Sequence, residues 1–222
     1  MHIGMIGGIG PAATDFYYKN LIKAFALADK KLELTIVHAE VSDVINNIVT
    51  DAADKQSDTF LKSALRLKAA GADVIVISSI AAHFCIAEFS ALSPLPIVSI
   101  IPTLDAEFNK RGLKRVGLLG HSISMGSKLF GGISSAEVVV PLDDDFDTVH
   151  KTYIKMAAEG QVDSTQRKTL FTIGKKLCTE QGADAVILAG TDLCLAFDGY
   201  KCGFNVIDSA LVHIDALCDM SD

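Results

Sequence analysis

The residues most able to do chemistry cluster in a few short loops. Gly7-Gly8-Ile9-Gly10-Pro11-Ala12-Ala13 fits the relaxed G-x-G-x-x-A spacing at Gly8, Gly10 and Ala13, directly after an apolar run and ahead of a helix-like stretch. Glycines permit a tight strand-to-helix turn there, and the exposed N–H groups of the helix start can hold a pyrophosphate or a carboxylate. Glu40 closes the next strand-like run and could hold a ribose, so one reading is a nicotinamide-dependent oxidoreductase, although no Y-x-x-x-K dyad accompanies the loop. The plainer reading is a turn with Pro11 at the first helical position.

Ser79 and His83 form a second group, and Gly190, Thr191, Asp192 and Cys194 a third. A serine hydroxyl needs a partner base to act, which a histidine with its near-neutral pKa can supply. The five cysteines (Cys85, Cys178, Cys194, Cys202, Cys218) make no C-x-x-C pair and point to reduced thiols. The histidines show no metal-binding spacing, and the run Asp143-Asp144-Asp145 with Asp147 reads as a solvated turn before a helix rather than a cation site, so no metal and no cofactor are expected.

The elements that would position these groups come from an internal repeat. Gly71-Ala72-Asp73-Val74-Ile75-Val76-Ile77-Ser78-Ser79 returns as Gly182-Ala183-Asp184-Ala185-Val186-Ile187-Leu188-Ala189-Gly190, an offset of 111 in a chain of 222 residues. Helix-like stretches over residues 58–70 and 166–181 precede the two copies. His2-Ile3-Gly4-Met5-Ile6-Gly7 corresponds to Arg115-Val116-Gly117-Leu118-Leu119-Gly120 within two residues of the same offset, and further strands are expected over 34–37 and 137–140. Alternating strands and helices in both halves predict an α/β chain of two pseudo-symmetric, Rossmann-like parallel-sheet domains.

The predicted boundaries are residues 1–97, joined by the C-terminal segment 206–222, and residues 98–205. Two prolines at Pro94 and Pro96 favour an extended crossing between the halves, and residues 206–220 should form a short strand and a helix. Ligands of parallel sheets sit beyond the carboxyl ends of the strands, so residues 7–11, 78–83, 120–125 and 189–194 are expected to line one cleft between the domains.

Ser79 and Gly190 occupy equivalent places in the repeat. Together with Ile6-Gly7-Gly8-Ile9-Gly10-Pro11, Phe16-Tyr17, Ala82-His83, Gly190-Thr191-Asp192 and Val206-Ile207-Asp208, they make the chain resemble the aspartate/glutamate racemases, with elements matching in order from residue 3 to about 217. The resemblance implies cofactor-independent racemisation, in which one thiolate takes the Cα proton and a facing thiol returns one. The family's Cys-Asn-Thr-Ala-His falls on Ser79-Ile80-Ala81-Ala82-His83, and its Gly-Cys-Thr-Glu on Ala189-Gly190-Thr191-Asp192, so both thiol positions lack a thiol.

By that alignment Ser79, Gly190 and His83 are the catalytic positions, and Gly8, Gly10, Thr191, Asp192, Ser122 and Ser124 would bind the substrate. Asp192 would hold an amino group. Ser122 and Ser124 would hold a carboxylate or serve only as helix caps. Cys194 and Cys85 are candidates for a displaced thiol, with a small buried hydrophobe as the plainer role. A binding relative without catalysis is the alternative.

Twenty basic against twenty-seven acidic residues leave a net charge of −7, which disfavours a nucleic-acid partner. The most apolar stretch, residues 74–87, falls short of the roughly 20 residues of a membrane span. A cytoplasmic protein without a signal peptide, taking a small amino or dicarboxylic acid and possibly homodimeric, is expected.

Overall fold

In the computed structural model, which describes residues 1–126 and 128–221, strands and helices alternate along the whole chain. The first half runs β1 (His2–Gly7), α1 (Pro11–Leu27), β2 (Glu33–His38), α2 (Val41–Val49), α3 (Ala53–Ala69), β3 (Val74–Ile77), a 3-10 turn (Ala81–Cys85) and α4 (Ile86–Leu92). α5 (Ile100–Arg111) leads into β4 (Arg115–Gly120), α6 (Ser122–Gly126), a second 3-10 turn (Lys128–Gly132), β5 (Glu137–Val139), α7 (Asp144–Glu159) and α8 (Ser164–Thr179). β6 (Ala185–Ala189), a third 3-10 turn (Thr191–Leu193), α9 (Cys194–Phe197), β7 (Val206–Asp208) and α10 (Ser209–Asp219) complete the chain. Among the described residues no helix is long and apolar enough to cross a membrane.

Both sheets are parallel, in the orders β2-β1-β3 and β5-β4-β6-β7. β1, β3 and β6 are buried along their full length, as strands covered by helices on both faces must be, and this explains their unbroken apolar runs. The repeat reaches the fourth strand as well. Val186 pairs with Val206 in the second sheet, and its counterpart Ile75 makes a single parallel bridge to Ile97, so the proline-flanked crossing is extended and clipped to β3.

The chain forms two compact units, Met1–Ile100 with His213–Asp222, and Ile101–Val212. The return to the first unit therefore begins at His213 and not at residue 206, because Val206–Asp208 is the edge strand beside β6. The first unit's core gathers Ile6, Val44, Phe60, Leu67, Ile75, Ile77 and Phe89.

Two equivalent glycines let a helix pack hard onto the first strand of each unit. A Cβ on Gly4 would lie 2.9 Å from Ala72 Cβ and 3.1 Å from Leu67 Cβ, and one on Gly117 would lie 2.9 Å from Leu177 Cβ. These neighbours are the rooted ends of buried side chains and cannot swing aside. Gly117→Ala should therefore lower the unfolding free energy by about 1–3 kcal/mol, read as a lower urea midpoint.

A polar network runs through the apolar core of the first unit. The Val98 carbonyl can only accept, so the His213 Nε2–H donates to it at 2.9 Å, and Nδ1 is left to accept from the Tyr17 hydroxyl at 3.0 Å. His83 is likewise fully buried, with Nδ1–H donating to the Ser79 carbonyl at 2.8 Å and Nε2 accepting from the Ile100 N–H at 3.5 Å. Burial pushes the pKa of His83 down to about 4 and, with the neighbouring His83 adding to it, that of His213 down to about 3.

In the unfolded chain both imidazoles take a proton near pH 6.5, and in the folded one they do not. Their contribution is thus full above pH 6.5 and is lost as pH falls toward 4, at about 1.4 kcal/mol per pH unit for each. Asp208, raised by burial to about 6, keeps its proton in the folded state only below about that pH, and there it offsets one histidine's slope. Urea midpoints measured at pH 7, 6 and 5 should fall steadily, while the ring resonances of His83 and His213 do not titrate over that range.

Candidate functional site

The loops following β3 and β6 carry the residues that the repeat makes equivalent, one set in each unit. After β3, Ser78 is buried and donates from Oγ to the Ile6 carbonyl at 3.4 Å, while Ser79 is half-buried and accepts His83 through its carbonyl. With both ring nitrogens engaged and no exposed surface, His83 holds this turn in shape. Cys85 follows on the same 3-10 turn, buried, with its thiol pushed up to about 11 by that burial.

The loop after β1 is built as a tight turn. Gly8 has φ +90°, and a Cβ there would lie 2.4 Å from the Ala39 carbonyl oxygen and 2.5 Å from His38 Nδ1. Gly10, at φ +79°, begins α1, and the Gly8 N–H donates to Thr14 Oγ1 at 2.8 Å. Only glycine tolerates both requirements at position 8. Glu40, which the sequence offered to a ribose, folds its carboxylate onto the Ser42 N–H and hydroxyl as the N-cap of α2.

In the second unit, β6 ends at Ala189 and Gly190 opens the next turn in an extended conformation, φ −167°. The space beside Gly190 is taken by Tyr153 of α7. A Cβ at 190 would lie 2.6 Å from the Tyr153 ring and 2.8 Å from its hydroxyl oxygen, well inside van der Waals contact. That hydroxyl donates to Asp192 Oδ2 at 2.8 Å. Burial raises the phenol's pKa well above its usual value, and the adjacent Asp192 charge adds to this, so Tyr153 stays protonated. Thr191 is buried and Asp192 half-buried.

Cys194 starts α9 just beyond. Burial and the charges of Asp208, Asp192 and Asp198 push its thiol up to about 12, the reverse of what an acid–base or nucleophilic cysteine needs. Asp208 accepts from the Ala210 and Leu211 N–H groups at 2.9 and 3.2 Å.

The loop after β4 is organised by histidines. The Ser122 N–H donates to His150 Nδ1 at 3.2 Å, and the Ile123 N–H to His121 Nδ1 at 3.0 Å, so each ring carries its proton on Nε2. The rings meet edge to face at 4.5 Å, and His121 lies 6.1 Å from the Tyr153 ring centre. Burial and His150 lower the pKa of His121. Ser124 is buried and Ser122 half-buried. Within the second unit the fold thus groups Gly190, Thr191 and Asp192 with Tyr153, and sets His121 and Ser122 against His150.

Tyr153 and His150 escaped the sequence reading. They lie three residues apart on α7, one turn along from the aspartates that open that helix, and no short motif links them to Gly190. The aspartate run itself forms the first turn of α7, with Asp145 paired to Lys176 at 2.6 Å, and among the described residues no group of three or more potential ligands could hold a metal ion.

This geometry sits in a fold shared with known proteins. A candidate Asp/Glu racemase from Yersinia pestis is 23% identical with a TM-score of 0.88, over 99% of this chain and 98% of that one. An aspartate racemase homologue from Pyrococcus horikoshii is 26% identical with a TM-score of 0.86 over the same shares, and the Picrophilus torridus aspartate racemase is 21% identical with a TM-score of 0.79 over 99% and 95%. The family model for Asp/Glu/hydantoin racemases matches residues 6–217, nearly the whole chain. The chain belongs to the Asp/Glu/hydantoin racemase family.

Proposed function

We propose that the protein binds a small amino or dicarboxylic acid and moves a proton at its Cα, as an isomerase of the racemase type that works without cysteine thiols. The observation that carries this reading is the Tyr153–Asp192 pair beside Gly190. It sets a carboxylate, held by a phenol, two residues after Gly190, the position that the resemblance gives to the second proton-handling group. Ser79 stands at the other such position, with its backbone held by His83.

The two cysteines nearest these loops offer no better base. With pKa values pushed to about 11 and 12, Cys85 and Cys194 are almost wholly protonated at neutral pH. His83 acts as a positioning residue, since its ring is engaged on both sides and closed to any ligand. Asp192 is the proton acceptor in this reading, with Oδ2 held by Tyr153. Thr191, Ser122 and Ser124 of the second unit then line the ligand's polar groups, and Gly8 and Gly10 are the substrate-binding candidates of the first.

A second reading is favoured by the pairing of Ser79 with Gly190. Neither side chain is a base, and two-sided racemisation needs an acid and a base on opposite faces of Cα. On that reading the protein binds the same ligands without proton transfer. No cofactor takes part in either reading. Self-association as a homodimer and a cytoplasmic setting belong to the same proposal, on the strength of family membership alone.

Incubation with the enantiomers of aspartate and glutamate in deuterated water, followed by proton NMR, tests the proposal. Loss of the Cα–H signal should persist in Cys85→Ala/Cys194→Ala and fall by about tenfold or more in Asp192→Asn. Exchange abolished by the cysteine changes would contradict the thiol-free route, and binding with no exchange in the unaltered protein would establish the second reading.

A further inference from the structure

α8 carries four basic residues, Arg167, Lys168, Lys175 and Lys176, and no acidic one, in a chain whose net charge is −7. Lys176 is spent on Asp145 of α7 at 2.6 Å. The other three line a groove of about 350 Å³ beside α8, to which Cys202 of the segment after α9 also contributes. Residues 168, 171 and 175 are spaced by three and four and so share one face of the helix. Phe171 lies between the two lysines, half-buried, with its ring 4.9 Å from that of Phe197 and 6.5 Å from that of Phe204. The groove thus has a fixed apolar floor and cations along its wall.

Arg167 is in place before any ligand arrives. Its Nε–H and an Nη2–H donate to the Ala196 and Leu195 carbonyls at 3.0 and 3.5 Å, and its guanidinium carbon lies 3.7 Å from the centre of the Tyr200 ring. Among the described residues Nη1 has no acceptor, and neither Lys168 nor Lys175 is paired with a carboxylate. Asp163, just ahead of the helix, is committed to the Gln166 N–H at 2.7 Å as its N-cap. Three cations gathered around one ring repel each other, and an anion between them relieves that repulsion. The volume falls in the range of roughly 300–1,000 Å³ that small-molecule sites occupy.

We propose that this groove is a further ligand site, built on none of the residues assigned to the small-acid site, and that it takes a small organic anion with a flat apolar body. The anionic group sits between Arg167 and Lys168, and the apolar body lies on Phe171 against Cys202. Lys175, about two helical turns along, adds to the same positive field.

Fluorescence titration of the purified protein with 8-anilinonaphthalene-1-sulfonate tests this, alongside N-phenyl-1-naphthylamine, which keeps the rings and lacks the sulfonate. The sulfonate should bind about tenfold tighter or more than the neutral amine, and amide resonances of residues 164–175 and 200–204 should shift as it binds. Lys168→Glu/Lys175→Glu changes two exposed side chains and should weaken the sulfonate about tenfold or more while moving the neutral amine by about twofold or less. Lys151→Glu/Lys155→Glu on α7 alters the net charge equally and should leave both affinities unchanged. Equal affinity for the two probes, equal loss in the two double variants, or shifts confined to other residues overturns the proposal. The probe comparison and the mapped resonances on the unaltered protein decide it by themselves should the variant of α8 not fold.

Discussion

A side chain at position 190 and the ring of Tyr153 cannot occupy the same space. The backbone at Gly190 is extended, a conformation open to any residue, so the glycine is required by its neighbour and not by its dihedral angles. Everything distinctive about the second unit's loops follows from that exclusion. The phenol fills the vacant volume, its hydroxyl finds the nearest carboxylate at Asp192, and the histidines of α7 and the β4 loop pack beside it. The corresponding turn of the first unit is held by a different device. There a buried imidazole ties the Ser79 carbonyl to the start of α5.

The frame beneath these loops is duplicated more faithfully than the loops themselves. Gly4 and Gly117 each bring a helix against the first strand of a sheet, and β3 and β6 lie in matching registers beside β1 and β4. Such a scaffold places two equivalent turns at the ends of two equivalent strands, and the residues on those turns differ. The first carries a serine with a buried histidine behind it. The second carries a glycine with a tyrosine over it.

Much of this was legible in the sequence because buried parallel strands are written as unbroken apolar runs. The offset of 111 residues found β3 and β6, and with them Ser79 and Gly190. The loop of Gly8 and Gly10 was legible as a tight turn, and the spacing that suits a ligand there also serves packing against His38 and Ala39. Glu40 looked available to a ligand because a capping glutamate and a ribose-binding one read alike until Ser42 is seen beneath it. The edge strand Val206–Asp208 is only three residues long, too short for its pattern to say which sheet it joins. Tyr153 and His150 were not legible, because a helix brings them to Gly190 and Ser122 from outside any motif that contains those residues.

Gly190 and Tyr153 are physically coupled, and a double-mutant cycle on unfolding free energy measures that coupling. Gly190→Ala in the unaltered protein should cost about 1–3 kcal/mol, and the same change in a Tyr153→Ala background should cost little, giving a coupling of about 1 kcal/mol or more. Additivity of the two substitutions within about 0.5 kcal/mol would show that the glycine and the ring do not exclude each other.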